Sequence, residues 1–241
     1  MGRTFENRKQ SMAKRSDRDA KAFTRCGRQI AMAVRAGGPD PDNNPTLRRA
    51  IQNSRACNMP KDRVTNAIEK ASGASDTTHY EEVFYEGYGP HGIALMVETA
   101  TDNPTRTVAN VRFAFKKESG NLGSPGSVAF MFDQLGVFRI SATGIDREEL
   151  ELTLIDFGLE ELVDEKSEDG ENLLVLRCAR ESFGTLQTGL ETQSQKVISS
   201  GFEWIAKSLT ALDPEQSEAV LKLVERLEAD DDVQEIFHNL A

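Results

Sequence analysis

The sequence is poor in the residues from which most catalytic centres and metal sites are built. Its 241 residues include three histidines and three cysteines. His79, His91 and His238 lie far apart along the chain, and no two cysteines form a CxxC pair. This scatter gives no local support to a histidine-centred triad, a zinc site or a disulfide framework. We therefore expect a protein that is not an enzyme, with no metal, no cofactor and no evident small-molecule substrate.

Long apolar runs are also missing. The longest stretches, such as IALMV and SVAFMF, have the length of strands, whereas a helix that spans a bilayer needs about 20 apolar residues. The N-terminus has no apolar segment of the secretory kind, and the acids Glu6, Asp17 and Asp19 are unlike a mitochondrial transit peptide. We expect a cytoplasmic protein without a membrane partner.

Basic charge is concentrated at the N-terminal end of an acidic chain. The formal net charge is −10, yet residues 1–70 contain 16 Lys and Arg against 7 Asp and Glu, a charge of +9. The remaining 171 residues contain 13 basic and 32 acidic residues, a charge of −19. A separation of this size favours a basic module that binds a polyanion, followed by an acidic body.

The first 75 residues have the pattern of helices. Between Asp19 and Arg35, apolar residues recur at helical spacing and basic residues cluster on the opposite face. Further helices are expected to begin near Pro45 and at Pro60, and Gly73 suits a helix end. We predict a basic three-helix domain over residues 1–75.

The rest of the chain alternates between strands and helices. Over 136–209 the order strand, helix, strand, strand, helix, strand is that of a ferredoxin-like domain, with the second helix predicted over 181–199. Segments 76–135 and 210–241 supply the pieces of a second such unit, including a strand at SVAFMFDQ. The predicted fold class is α+β: an N-terminal three-helix domain followed by two ferredoxin-like α/β domains, the last inserted into the middle one.

Candidate nucleic-acid contacts lie mainly in the helical domain, because each Lys or Arg that neutralises a phosphate releases counterions. The alternative is a solvated helix face with incidental charge. Phosphate contacts fix position without reading bases, so they predict no sequence specificity. The candidates are Arg3, Arg8, Lys9, Lys14, Arg15, Arg18, Lys21, Arg25, Arg28, Arg48, Arg49 and Arg55.

Several further stretches offer candidate sites or charged surfaces. Tyr85, Tyr88 and His91 in YEGYGPHG can form a loop that stacks on bases, or the tyrosines can simply cover the sheet. The glycines of GNLGSPGS fit a turn better than a phosphate cradle. Arg106 and Arg112 can extend the basic surface or pair with neighbouring acids. The acidic runs EDGEN and EADDD are expected to be solvated charge.

Several motifs resemble the YebC/PmpR family: GGPDPDNNPTLRRAI, NMPKD, YEGYGPHG, TDNPTRTVANVR and SGNLGSPGSVAFMFD. The resemblance covers nearly the whole chain and implies three domains, an N-terminal helical domain and two α/β domains. The opening departs from the family pattern, because Gly2-Arg3-Thr4-Phe5-Glu6-Asn7 lacks the usual Trp and His. This departure leaves the identity of the target open.

The resemblance also implies a function. Members are described as DNA-binding transcriptional regulators, a mitochondrial relative activates translation, and bacterial members are tied to the relief of ribosome stalling. We expect a nucleic-acid-binding regulator of gene expression, with DNA and transcription first. The alternative is a translation factor that contacts ribosomal RNA on the ribosome.

Overall fold

The computed structural model describes residues 3–73, 78–167 and 170–241, with side chains described from Arg18 onward in the first helix. Three helices come first: α1 (Arg3–Gly37), α2 (Pro45–Ala56) and α3 (Lys61–Ser72). Their apolar faces meet in a core that includes Ile30, Leu47 and Val64. Helix α2 begins as the sequence predicts, since the Asn44 side chain accepts a hydrogen bond from the Leu47 amide.

The remaining elements build two four-stranded sheets. In chain order they are β1 (Glu81–Tyr88), β2 (Ala94–Thr101), α4 (Pro104–Lys117), β3 (Asn121–Leu122), β4 (Phe132–Ser141), α5 (Arg147–Ile155), β5 (Leu159–Lys166), β6 (Asn172–Ala179), α6 (Phe183–Thr192), β7 (Val197–Ala206), α7 (Pro214–Glu228) and β8 (Val233–His238).

The first sheet has the order β3-β1-β2-β8, with each neighbouring pair antiparallel. Helices α4 and α7 cover one face, and Phe115, Leu95 and Leu223 pack in the core between sheet and helices. Both helices begin at strong caps: Asn103 precedes Pro104, and Asp213 with Gln216 forms a capping box. The two helices therefore have defined starts over the sheet.

The second sheet has the order β5-β6-β4-β7, which is the ferredoxin-like arrangement predicted for this segment. Helices α5 and α6 cover it, with Leu154, Leu186 and Phe138 in the core. All four strands lie in the chain between β3 and β8, so the second sheet is inserted into the first. The predicted fold class is confirmed: a helical domain followed by two α/β domains.

Some predicted elements differ from the structure. SVAFMFDQ is not one strand, because a short 3-10 turn occupies Ala129–Met131 and β4 begins at Phe132. Helix α6 ends at Thr192 instead of 199, and the freed residues begin β7 at Val197. Apolar residues in a short segment fit the period of a helix as well as that of a strand. The sequence therefore leaves these boundaries ambiguous. The domain limits 1–75, 76–135 plus 210–241, and 136–209 stay predictions.

The uncovered face of the first sheet packs on the second domain. Ala94, Met96 and Phe132 form a cluster with Trp204 and Phe84. The Phe84 and Trp204 rings meet edge to face, with 6.0 Å between their centroids. The two α/β domains therefore share an apolar contact of their own, beside which the helical domain is seated.

Candidate nucleic-acid interface

Helix α1 is much longer than the two helices that it packs against. It has 35 residues, whereas α2 and α3 have 12 each. Its described core residues begin at Phe23 and end at Val34. At a rise of about 1.5 Å per residue, the 20 residues before Phe23 add about 30 Å of helix. Seven predicted contacts lie in this extension. The side chains of Arg18 and Lys21 are described, whereas those of Arg3, Arg8, Lys9, Lys14 and Arg15 are outside the described residues.

The described part of the basic face of α1 turns toward the middle domain. Arg25 Nε donates a hydrogen bond to the Val233 carbonyl at 3.1 Å. Arg28 Nη1 donates to the Ala100 carbonyl at 2.6 Å and pairs with Asp232 Oδ1 at 2.7 Å. The Arg28 guanidinium also lies 5.2 Å from the centre of the Tyr80 ring. Arg25 and Arg28 thus dock α1 onto the middle domain.

Asp232 is the acceptor at the centre of this docking contact. Its carboxylate also accepts from Arg106 Nη2 at 2.6 Å and from Thr107 Oγ1 at 2.7 Å. Burial alone would raise the pKa of Asp232, but the hydrogen bonds from Arg106, Thr107 and Arg28 outweigh it and lower that pKa. The residue is 2% exposed. Asp232 is therefore a buried, ionised hub that joins α1, α4 and β8.

Helix α2 docks on the other α/β domain. Asn53 donates to the Ser200 carbonyl at 2.8 Å and accepts from the Ser200 amide at 3.0 Å. Because β7 is an edge strand, Asn53 satisfies backbone groups that a neighbouring strand would otherwise pair. Arg49 lies 5.5 Å from the Phe183 ring and from the Phe202 ring, and burial lowers its pKa. Arg49 is thus half-buried between α2 and the second α/β domain.

A cleft of about 1270 Å³ lies where the three domains meet. Arg18, Lys21 and Arg25 line it from α1. The opposite walls are rich in carboxylates. Acidic lining residues include Glu82, Glu98, Glu203, Glu225, Glu228 and Glu235. In all, eight acidic and six basic residues line the cleft, and Glu203 is paired with Arg139 at 2.5 Å. The lining is therefore of mixed charge with a small acidic excess.

Two of these carboxylates face each other across neighbouring strands, because Glu98 on β2 is paired in register with Glu235 on β8. Burial raises the pKa of Glu98 to about 8, and the charges of Glu82, Glu235 and Glu203 add to the effect. Glu235 is open to water in the cleft, yet the protein surrounding it raises its pKa to about 7, assisted by Glu203. Like charges thus disfavour the ionised form of both groups, and burial adds to this effect at Glu98.

The other predicted contacts of the helical domain lie at its surface. Arg18 and Arg55 are exposed. Arg48 is exposed too, and its guanidinium donates to the carbonyls of Pro41 and Asp42 at the turn before α2. The structure thus separates the predicted set. Arg25, Arg28 and Arg49 hold domains together, whereas Arg18, Arg48 and Arg55 face water.

The YEGYGPHG stretch does not bring its aromatic residues together. Tyr85 and Tyr88 are three residues apart on β1 and point to opposite faces of the sheet. Tyr85 packs at the helix-covered core, and its hydroxyl donates to the Pro104 carbonyl at 3.4 Å. The Tyr88 hydroxyl donates to the Ser127 carbonyl at 3.2 Å, and His91 is exposed on the following turn. Each tyrosine has a structural contact, and a shared stacking platform has no support here.

The glycine-rich loop after α4 binds an internal anion. The amides of Gly126, Val128 and Ala129 donate to the Glu86 carboxylate at 2.6–2.8 Å. Burial alone would raise the pKa of Glu86, but these three backbone hydrogen bonds lower it. The donors that a phosphate would need are thus occupied by Glu86.

The two arginines of α4 have different surroundings. Arg106 pairs with Asp102 and Asp232. Of the two alternatives that the sequence left open for Arg106, the structure thus has the pairing with acids. Arg112 is exposed and has no carboxylate partner among the described residues. The prediction that EADDD is solvated charge is wrong for Asp232, since that residue is buried.

The described part of the chain lacks two kinds of feature. No helix there has the length and apolar character required to cross a membrane. Across residues 3–73, 78–167 and 170–241, no group of three or more His, Cys, Asp or Glu side chains is arranged to hold a metal ion.

The fold and the docking contacts define a three-domain α+β protein in which a basic helical domain is seated across two α/β domains. The family models of the TACO1/YebC N-terminal domain and of the TACO1/YebC second and third domain match residues 3–74 and 80–240. The chain belongs to the TACO1/YebC family.

Relatives of known sequence and structure agree with this assignment. The chain is 57% identical to a "Probable transcriptional regulatory protein" of Anaeromyxobacter dehalogenans and 55% identical to one of Myxococcus xanthus, each over the full length of both chains. The crystal structure of a conserved hypothetical protein from Aquifex aeolicus is similar with a TM-score of 0.79 and 34% identity. That likeness covers 92% of this chain and 90% of the other.

Proposed function

We propose that this protein is a non-enzymatic, cytoplasmic regulator of gene expression that binds nucleic acid, in the first place DNA in the control of transcription. The names of its relatives support a regulatory role. The charge of the N-terminal region supports a polyanionic partner, because residues 1–70 carry +9 in a chain of net charge −10.

The N-terminal extension of α1 is the contact surface that we propose. The observation that carries the proposal is the length of α1, which continues for about 30 Å beyond the helices that flank it. The extension contains seven basic residues against three acids, Glu6, Asp17 and Asp19. A basic helix of this length can follow a phosphate backbone.

In this proposal the arginines with intramolecular partners have a structural role and do not contact nucleic acid. Arg25, Arg28 and Arg49 hold the helical domain against the two α/β domains. Their loss would change the arrangement of domains as well as the local charge. They are unsuitable as tests of binding, and variants should address the N-terminal extension instead.

The test is the quadruple variant Arg8→Gln, Lys9→Gln, Lys14→Gln and Arg15→Gln. Gln has nearly the helix propensity of Lys and Arg, so the helix should persist while four positive charges are lost. Binding of a fluorescent duplex DNA is measured by anisotropy from 50 to 300 mM salt. We expect the slope of log K against log salt to fall by about 3 to 4, at about 0.9 per lost phosphate contact.

The matched control removes the same charge from the acidic part of the chain, as Arg147→Gln, Lys166→Gln, Lys207→Gln and Lys222→Gln. It should bind like the unchanged protein. Equal losses in both variants would mean that net charge alone matters and would overturn the assigned surface. Co-sedimentation with ribosomes runs in parallel. Ribosome binding that survives 300 mM salt while duplex binding is lost would favour the translation alternative.

A further inference from the structure

Helix α4 carries a second basic surface, in the domain where acids prevail. Residues 71–241 contain 13 Lys and Arg, and among the described residues seven of these have a carboxylate within 4.0 Å. Arg112, Lys116 and Lys117 belong to the remaining cations and have no carboxylate partner among the described residues. All three are exposed. Their charges are therefore available to an external anion.

These cations share one face of the helix with an exposed aromatic ring. At about 100° per residue, positions 112, 113, 116 and 117 cover an arc of about 140°. The buried residues Thr107, Val111, Ala114 and Phe115 lie on the opposite side. Phe113 is 61% exposed, and the Lys117 ammonium lies 5.7 Å from its ring centre. We call Arg112, Phe113, Lys116 and Lys117 the α4 face.

Helix stability does not account for this arrangement. Lys116 and Lys117 are in the last turn, where positive charge interacts favourably with the helix dipole. Arg112 lies before that turn. Phe113 leaves most of its ring in water on a helix whose opposite side already fills the core. An exposed ring between phosphate-binding cations is the composition of a surface that stacks unpaired bases.

The position of α4 links this face to the proposed contact surface. Arg106 in the first turn of α4 and Arg28 of α1 bind the same carboxylate, Asp232. The two helices are therefore held in a fixed relation.

We propose that the α4 face binds an unpaired stretch of nucleic acid, with Phe113 stacked on a base and the three cations on the flanking phosphates. The inference rests on the proposed function, because it assigns a second contact of the same partner. The bases of a duplex are already stacked on each other. Stacking on Phe113 therefore contributes to the binding of single-stranded segments, of RNA or of DNA, and not to the binding of a duplex.

The experiment compares three variants of the full chain with the unchanged protein. They are the triple variant Arg112→Gln, Lys116→Gln and Lys117→Gln, the single variant Phe113→Ala, and the matched triple control Arg147→Gln, Lys207→Gln and Lys222→Gln. For each protein we measure the affinity for fluorescent 12-nucleotide single strands of RNA and of DNA, and for a DNA duplex. Thermal unfolding of every variant shows that it is folded.

We expect the triple variant to lose about 2 from the single-strand salt slope, at about 0.7 per contact. Phe113→Ala should weaken single-strand binding about tenfold and leave duplex binding unchanged. The matched control should bind as the unchanged protein does. A larger loss with RNA than with DNA would identify RNA as the partner, and the reverse would identify DNA.

A spectroscopic reporter tests the stacking directly. Phe113→Trp should lose fluorescence when a single strand with bases is added, but not with a strand that has abasic sites. The signal of the unchanged protein, which contains Trp204 alone, is subtracted. No quenching, or unchanged affinity in the triple variant while the N-terminal quadruple variant loses binding, would overturn the α4 face and leave the proposed function standing. Failure of the unchanged protein to bind any nucleic acid would overturn both.

Discussion

At the scale of single residues, Asp232 has the largest structural role that the sequence concealed. It lies within an acidic run at the end of α7, where charge is usually solvated. Folding instead buries it against Arg28 and Arg106. A linear pattern cannot show this, because both arginines come from helices distant in sequence. Similarly, only the structure shows that the carboxylate of Glu86 fills the glycine-rich loop.

We predict that Asp232→Asn lowers the free energy of unfolding by about 3 kcal/mol, because removing one partner of a buried ion pair leaves the other uncompensated. The measurement is urea denaturation at pH 7. Since the pKa of Asp232 is lowered by folding, its contribution is present above about pH 4. It is lost as the pH falls through the lowered pKa.

The neighbouring exposed Asp231→Asn is the control for this substitution, and it should change stability by less than about 0.5 kcal/mol. Equal stability of the two variants would show that the Asp232 hub contributes nothing.

At the scale of elements, the helices were more predictable than their environment. The periodicity of α1 identified an apolar face and a basic face, and the start of α2 was predicted near Pro45. The packing of the apolar face was thus predictable. The basic face was expected to be solvated or to bind phosphate, yet its C-terminal half docks on the middle domain. Amphipathicity tells which side is apolar, but not which neighbour the polar side meets.

Helix α2 offers a test of docking between elements. Asn53→Ala removes both hydrogen bonds to the Ser200 backbone, so the edge strand β7 keeps an unsatisfied amide and carbonyl. We predict a loss of about 1 to 2 kcal/mol in the free energy of unfolding. Hydrogen exchange should also become faster at the Ser200 amide. The exposed Asn66→Ala on α3 serves as the control, and unchanged Ser200 exchange in the Asn53 variant would contradict the contact.

At the scale of the whole molecule, the division of charge has two consequences. The basic domain is held against acidic domains through a few buried contacts, and the acids that remain line the central cleft. The nucleic-acid binding that we propose would use the outer surfaces of α1 and α4. The same crowding of carboxylates makes the stability of the assembled domains depend on pH.

We predict that stability decreases as the pH rises from 5 to 8. Folding raises the pKa of Glu98 from 4.5 to about 8, so across this range the unfolded chain has lost a proton that the folded protein retains. Glu98→Gln removes that penalty. It should unfold at a higher temperature than the unchanged protein at pH 8 and at nearly the same temperature at pH 5.

The exposed Glu181→Gln is the control, and its pH profile should follow that of the unchanged protein. If the Glu98 variant shows the same profile as well, the raised pKa of Glu98 is not linked to folding.

By itself, the sequence determined the family, the fold class, the helix starts and the concentration of positive charge in the first 70 residues. These follow from local spacing, capping residues and composition, which a linear pattern records. Only the tertiary structure decided which cations face water. Arg25, Arg28 and Arg49 form contacts between domains, whereas Arg112, Lys116 and Lys117 are exposed. The reason is physical: the partner of a charge is set by distance in space, and those partners lie far away along the chain.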